Sequence, residues 1–238
     1  MKEIWIITKH ELQTTFDSLM AYIMIISFLG FSGFFTWFFG GDIFYVNQAS
    51  LSTFFSVAYW TLFFFIPALT MKLIAEEKKA GTMEMLLTKP ITERQILWGK
   101  FLAILLLIII ALTLTLPYYI TVWSLGPIDH GAIWSGYLGL ILMSAAYISI
   151  GIFTSCLTNN QIVAFLLALL IGIFFHVIFG MIASNLTGSL GSVFNYLSLS
   201  NHFESISRGV IDSKDIIYFL SVIFLGLTGS EAILMKRK

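Results

Sequence analysis

The stretch LIAEEKKAGTMEMLLTKPITERQILWGK, residues 73–100, decides how this chain is read. Six of the thirteen Lys and Arg lie between Lys72 and Lys100, in a sequence that is 58% hydrophobic and only 11% charged. The charges alternate in sign: Glu76, Glu77, Lys78, Lys79, then Glu84, Lys89, Glu93 and Arg94. Fixing an orientation in a membrane needs only the basic members, so the acidic ones point to a partner. Local signals also give the stretch a defined shape. Gly81-Thr82 interrupts the helix arriving from the N-terminal side, and Thr82 suits the N-cap of a short apolar helix, MEMLL. Glu84 lies in the first turn of that helix, where a negative charge suits the dipole. Pro90 forbids its continuation, and Thr92 with Gln95 forms a capping box that opens the next helix.

Outward from this loop the chain is apolar. Soluble domains carry about 25% charged residues, and a mean hydropathy of +0.91 marks a membrane protein. Zero net charge gives nucleic acid no footing as a partner. The single cysteine, Cys156, excludes an intramolecular disulfide, and in its apolar run it reads as a small core residue. A span needs ~20 apolar residues, and six such segments are expected, near 19–39, 51–71, 101–123, 132–156, 162–183 and 216–235. The polar break TNNQ at 158–161 divides the fourth from the fifth. Eleven of the thirteen basic residues then fall on one side, leaving Arg208 and Lys214 on the other. That bias makes the loop and both termini cytoplasmic.

Before the first span, charges at Glu3, Lys9, Glu11 and Asp17 argue against a signal peptide. Trp5, Thr8, Leu12, Phe16 and Leu19 share one side of a helix, with Glu3, His10, Thr14 and Asp17 opposite, as in an amphipathic helix lying at the membrane surface. Before the sixth span, Val193, Tyr196 or Leu197, Phe203, Ile206 and Val210 recur at helical spacing, which predicts one or two short re-entrant helices.

At the loop the chain resembles ABC-2 type permeases, whose segment between the second and third spans reads E-x-x-x-G-T-x-E-x-L-L-x-x-P. Here the run from Glu76 to Leu87 carries it, with Glu77, Gly81, Thr82, Glu84, Leu86 and Leu87, followed by Pro90 and then Gly99-Lys100. The surface helix, the six spans and the re-entrant region match the same all-α integral membrane fold, so the resemblance covers residues 1–238 as one transmembrane domain. In detail the chain looks most like the gliding-motility-associated permease subunit of Bacteroidetes ABC transporters, and it is similar to the copper-processing permeases of that branch. The resemblance implies a subunit of the bacterial inner membrane, not an enzyme, that pairs with a second ABC-2 permease subunit, identical or related, and with cytoplasmic ABC ATPase subunits. The coupling residues it implies are Glu76, Glu77, Gly81, Thr82, Glu84, Met85, Leu86 and Pro90, with a coupling helix over about 76–87 seated in a cleft of the ATPase. No cofactor or metal is expected in this chain. No G-x-x-x-x-G-K-S/T phosphate loop occurs in it, so ATP is bound by the partner ATPase.

An ATP-driven membrane platform that transports nothing would carry the same loop, as would a permease for a lipid, a polysaccharide or a metal-processing factor. An intramembrane enzyme fits less well, because H-E-x-x-H, G-x-S-x-G and paired intramembrane Asp residues are absent. His176 is the one ionisable residue deep in a span, where a site is the default hypothesis. A neutral ring bonded to nearby backbone or Ser is the simpler reading, and no His faces it for haem ligation. Glu231 is expected to pair with Lys236 or the headgroups, and Pro67 and Pro117 to bend spans two and three. Ala145/Ser149 and Gly151/Ser155 are small-xxx-small pairs suited to close packing of span four.

Overall fold

In a hydrocarbon layer no water satisfies backbone N–H and C=O groups, so an apolar chain of this kind must bond internally as helix. The computed structural model describes residues 2–39, 49–83, 91–186 and 188–236, and these contain helices and no strand. Glu84, Met85, Leu86, Lys89 and Pro90 of the loop lie outside the described residues.

The helices are α1 (Lys2–Asp17), α2 (Leu19–Trp37), α3 (Ser52–Thr70), α4 (Ala75–Ala80), α5 (Glu93–Thr113) and α6 (Leu116–Leu125). They are followed by α7 (His130–Leu157), α8 (Gln161–Ile173), α9 (Phe179–Asn185), α10 (Ser189–Leu197), α11 (Leu199–Ser207) and α12 (Ser213–Met235). A π-helical turn, Phe174–Ile178, joins α8 to α9. Among the described residues, six stretches are long and apolar enough to cross a membrane: Leu19–Trp37, Ser52–Ala80, Glu93–Leu125, His130–Leu157, Gln161–Asn185 and Ser213–Met235. Each expected span has its counterpart. Polar caps set several starts: Asp129 accepts from Ala132 N, Asn160 from Ile162 N and Asp212 from Lys214 N. The TNNQ break therefore acts through Asn160.

Span four is the axis of the bundle. Its most apolar window is 78% buried, against 22% for spans five and six, whose outer faces show Leu166, Leu170 and Phe224. Small residues bring its neighbours close, and Ser149 Oγ reaches Val222 O of α12 at 3.4 Å. Cys156 is fully buried, as a core residue should be.

The two intramembrane prolines behave differently. Pro67 lies within α3, which runs on to Thr70. Pro117 instead opens a new helix: α5 stops at Thr113 and Pro117 occupies the first turn of α6, where its missing N–H costs nothing. Tyr137 of α7 donates to the Thr115 carbonyl at this break, at 3.3 Å.

Several expected faces shift. Of the expected face of α1, Thr8 is buried and Leu12 and Phe16 pack against the core, but Trp5 is exposed, as is Leu19 at the start of α2, and Thr15 joins the packed edge. The re-entrant region does form two short helices, α10 and α11. Val193, Tyr196 and Val210 are exposed, however, and the buried stripe is Leu199, His202, Phe203 and Ile206. His202 Nδ1 lies 2.6 Å from Asp215 Oδ1, which ties α11 to the start of span six. Glu231 pairs with Arg94 Nε at 3.3 Å and not with Lys236, because α5 and α12 begin and end side by side. His176 bonds to the Tyr147 hydroxyl of span four, neither to backbone nor to Ser.

Candidate functional site

The charged loop leaves span two through a turn at residues 71–74. A turn buried at the end of a membrane helix exposes backbone groups that need partners. Ser155 of α7 supplies them: its Oγ accepts from Ile74 N at 3.1 Å and Ala75 N at 3.0 Å, and donates to Met71 O at 3.0 Å. This is an N-cap delivered from another helix. The sequence marked Ser155 only as a small packing residue, since a cap 80 residues away leaves no local signal. Ser155→Ala strands two buried donors and is expected to cost about 1–3 kcal/mol. Thermal unfolding in mild detergent measures it, and a shift within error of wild type would mean that water reaches the turn.

The helix so capped, α4, has only six residues and could not persist alone. Its charges follow its dipole, Glu76 and Glu77 in the first turn and Lys78 and Lys79 in the last. Lys78 Nζ donates to the Cys156 carbonyl at the end of α7. Glu77 Oε1 meets Lys100 Nζ at 2.8 Å, and the same ammonium holds Glu11 Oε2 of α1 at 3.0 Å. Lys100 is 2% exposed. One buried cation thus joins α4 and α5 to α1, which lies far from both in sequence.

Residue Gly99 permits the approach. A Cβ there would lie 2.6 Å from Ile7 Cγ2, so only glycine lets α1 cross the root of α5. Thr8 Oγ1 lies 3.2 Å from the Gly99 carbonyl. On the far side of α5, the Arg94–Glu231 pair ties the root to the end of α12.

Gly81 ends α4 in the left-handed region, φ +71°, with its N–H directed to the Glu77 and Lys78 carbonyls. The helix is therefore interrupted where the sequence predicted. Residues 82 and 83 are helical again, and the Thr82 hydroxyl donates back to Glu77 O at 3.3 Å. Thr82 is thus inside the second helical stretch and not ahead of it. Of the coupling residues expected from sequence, Glu76, Gly81 and Thr82 are exposed and Glu77 turns inward. Glu84, Met85, Leu86 and Pro90 lie outside the described residues. Glu11, Lys100 and Ser155 were not among those expected. Lys100 carried the one usable signal, a lone charge at the head of a long apolar run.

The geometry is that of a joint: exposed residues at Glu76 and 79–82, rooted by buried polar contacts in spans three and four and in α1. A family model for ABC-2 family transporter proteins matches residues 7–215. The chain belongs to the ABC-2 transporter family. A search of curated proteins returns no match. Members of the ABC-2 family are membrane components of transport and not themselves catalysts. In this ABC-2 chain the polar contacts of Lys100 and Ser155 are buried, while Glu76, Gly81 and Thr82 stand exposed beside them.

Proposed function

We propose that the chain is the permease subunit of an ATP-driven transporter in the bacterial inner membrane, serving the gliding-motility system. It pairs with a second ABC-2 permease subunit and is driven by a separate cytoplasmic ABC ATPase docked on residues 76–90. The end of the bundle carrying α1 and α4 faces the cytoplasm, in keeping with the basic bias. The observation that carries this reading is the buried Lys100, bonded to Glu11 and Glu77. A loop meant only for orientation needs no such root.

Movement imposed on the loop passes by three routes. Ser155 carries it to span four, Lys100 to span three and the surface helix, and Arg94–Glu231 to span six. Interior packing is dense and transmits displacement without absorbing it.

Affinity purification of the full chain in mild detergent, with every co-purifying polypeptide identified, tests the proposal. The expected result is a second ABC-2 chain and an ATPase bearing a phosphate loop, with ATP turnover confined to preparations containing the latter. Turnover by the chain alone, or purification without any ATPase, would overturn it.

A further inference from the structure

At the end of the bundle opposite α4, span two, the π-helical turn and α11 line a half-open cavity of about 590 Å³. Small-molecule sites occupy ~300–1,000 Å³. Its wall follows α3 from Ser52 to Trp60, a depth of about 12 Å in a hydrocarbon core of ~30 Å. The floor is aromatic, with Phe55, Trp60 and Phe203, while the rim on α11 carries Glu204 and Arg208, of opposite charge.

His176 lines this cavity and is 3% exposed. Its ring stacks on Tyr59 at 4.0 Å and on Phe63 at 4.6 Å. Nδ1 is bonded to the Tyr147 hydroxyl, and Nε2 is buried with no hydrogen-bond partner among the described residues. Which nitrogen carries the proton follows from counting. A proton on Nδ1 would strand both the phenol O–H and the Nε2 lone pair. A phenol donating to Nδ1 strands only Nε2–H, which is the cheaper arrangement. Among the described residues lining this cavity, the Tyr59 hydroxyl is the other buried group without a hydrogen-bond partner, so its wall holds two unused donors at membrane depth.

We infer that the cavity binds an acyl-chain amphiphile whose ester or amide carbonyl accepts a hydrogen bond from His176 Nε2. The aromatic floor takes the chain, and the rim, charged yet neutral in sum, takes the polar head. A helix of a second permease subunit is a poorer occupant, because its own carbonyls are already engaged along the helix. The inference deepens the permease reading by naming a ligand class. It needs neither nucleotide nor ATPase, so the two fail separately.

The test uses membranes holding the full chain and whatever subunits assemble with it. Three acyl-diazirine probes are compared: an ester-linked phospholipid, its ether-linked analogue, and a monoacyl ester added from solution. The ester phospholipid is expected to label Trp60 and Met181 about three- to tenfold more than the ether analogue, the ratio given by one net hydrogen bond. Labelling by the soluble ester instead assigns a water-borne source. His176→Phe keeps a stacking ring without a donor and is expected to reduce the ester preference, leaving at most what the Tyr59 hydroxyl supplies. Tyr147→Phe frees the tautomer and is expected to weaken that preference. Labelling of Leu166, on the lipid-facing side of α8, should stay constant and so reports an intact fold. Equal ester and ether labelling in wild type, as a water held on Nε2 would give, overturns the inference. So does an undiminished preference in His176→Phe. Absence of any cavity labelling also overturns it, in favour of packing by the second subunit.

Discussion

Replacing Lys100 with Met is expected to destabilise the protein by about 3–5 kcal/mol, the cost of breaking a buried ion pair by removing one partner. The substitution leaves Glu11 and Glu77 facing each other across a site from which the cation has gone. Their side chains are only 17% and 26% exposed, so water can relieve part of the repulsion but not all. The lower end of the range is then the better guide. Unfolding followed in mild detergent gives the shift, and the level reached in the membrane gives its consequence in the cell. Burial itself makes the rescue informative. Replacing the whole triad, with Glu11→Gln and Glu77→Gln added to Lys100→Met, removes every desolvated charge and is expected to recover most of the loss. Glu11→Gln alone should be milder than Lys100→Met, since Lys100 keeps Glu77 at 2.8 Å. If Lys100→Met unfolds like wild type, the joint is hydrated and cannot be the rigid root proposed for the loop. A recovered triple variant that no longer couples ATP turnover to the ATPase partner would assign the triad to transmission as well as to folding.

The second large effect is expected at Leu86. In the proposed docking, Met85 and Leu86 fill a cleft of the ATPase and Glu84 meets a donor at its rim. Leu86→Asp would bury an unpaired carboxylate in that contact. Truncating a central interface side chain commonly costs about 2 kcal/mol or more, so ATPase co-purification should fall more than about tenfold. Glu84→Gln at the rim is expected to alter salt dependence and association rate more than retention. Gly81→Pro acts differently again. Proline cannot adopt the observed φ of +71° and lacks the N–H that Gly81 directs to the Glu77 and Lys78 carbonyls. It should misalign the loop while leaving the spans in place. Each variant is compared at matched membrane levels, since a misfolded subunit also loses its partner. A Leu86→Asp chain that accumulates normally and retains its ATPase as tightly as wild type would return the loop to a purely orienting role.

The elements of the fold were legible because each is dictated locally. Unbroken apolar runs cannot be satisfied except as spanning helices, and residues such as Asn160, Asp129 and Thr92 mark starts through bonds within three residues of themselves. Gly81 was readable for the same reason, as a residue suited to a left-handed turn. The joint was not. Glu11 and Lys100 meet across 89 residues of sequence, Lys100 and Glu77 across 23 and Ser155 and Ala75 across 80, and their roles exist only once α1, α4, α5 and α7 converge. Periodicity on α1 identified part of its packed edge, Thr8, Leu12 and Phe16, but misplaced Trp5, because bilayer and protein both accept apolar side chains. The same ambiguity hid the cavity: Phe, Tyr and Trp facing lipid and facing a ligand are written alike. His176 was conspicuous as an intramembrane ionisable residue, yet its partner was decided by the crossing of spans four and five, which sets Tyr147 against Nδ1 and leaves Nε2 without one among the described residues. Hydrocarbon chemistry selects helices from sequence alone, whereas the pairing of rare polar groups waits on which helices meet.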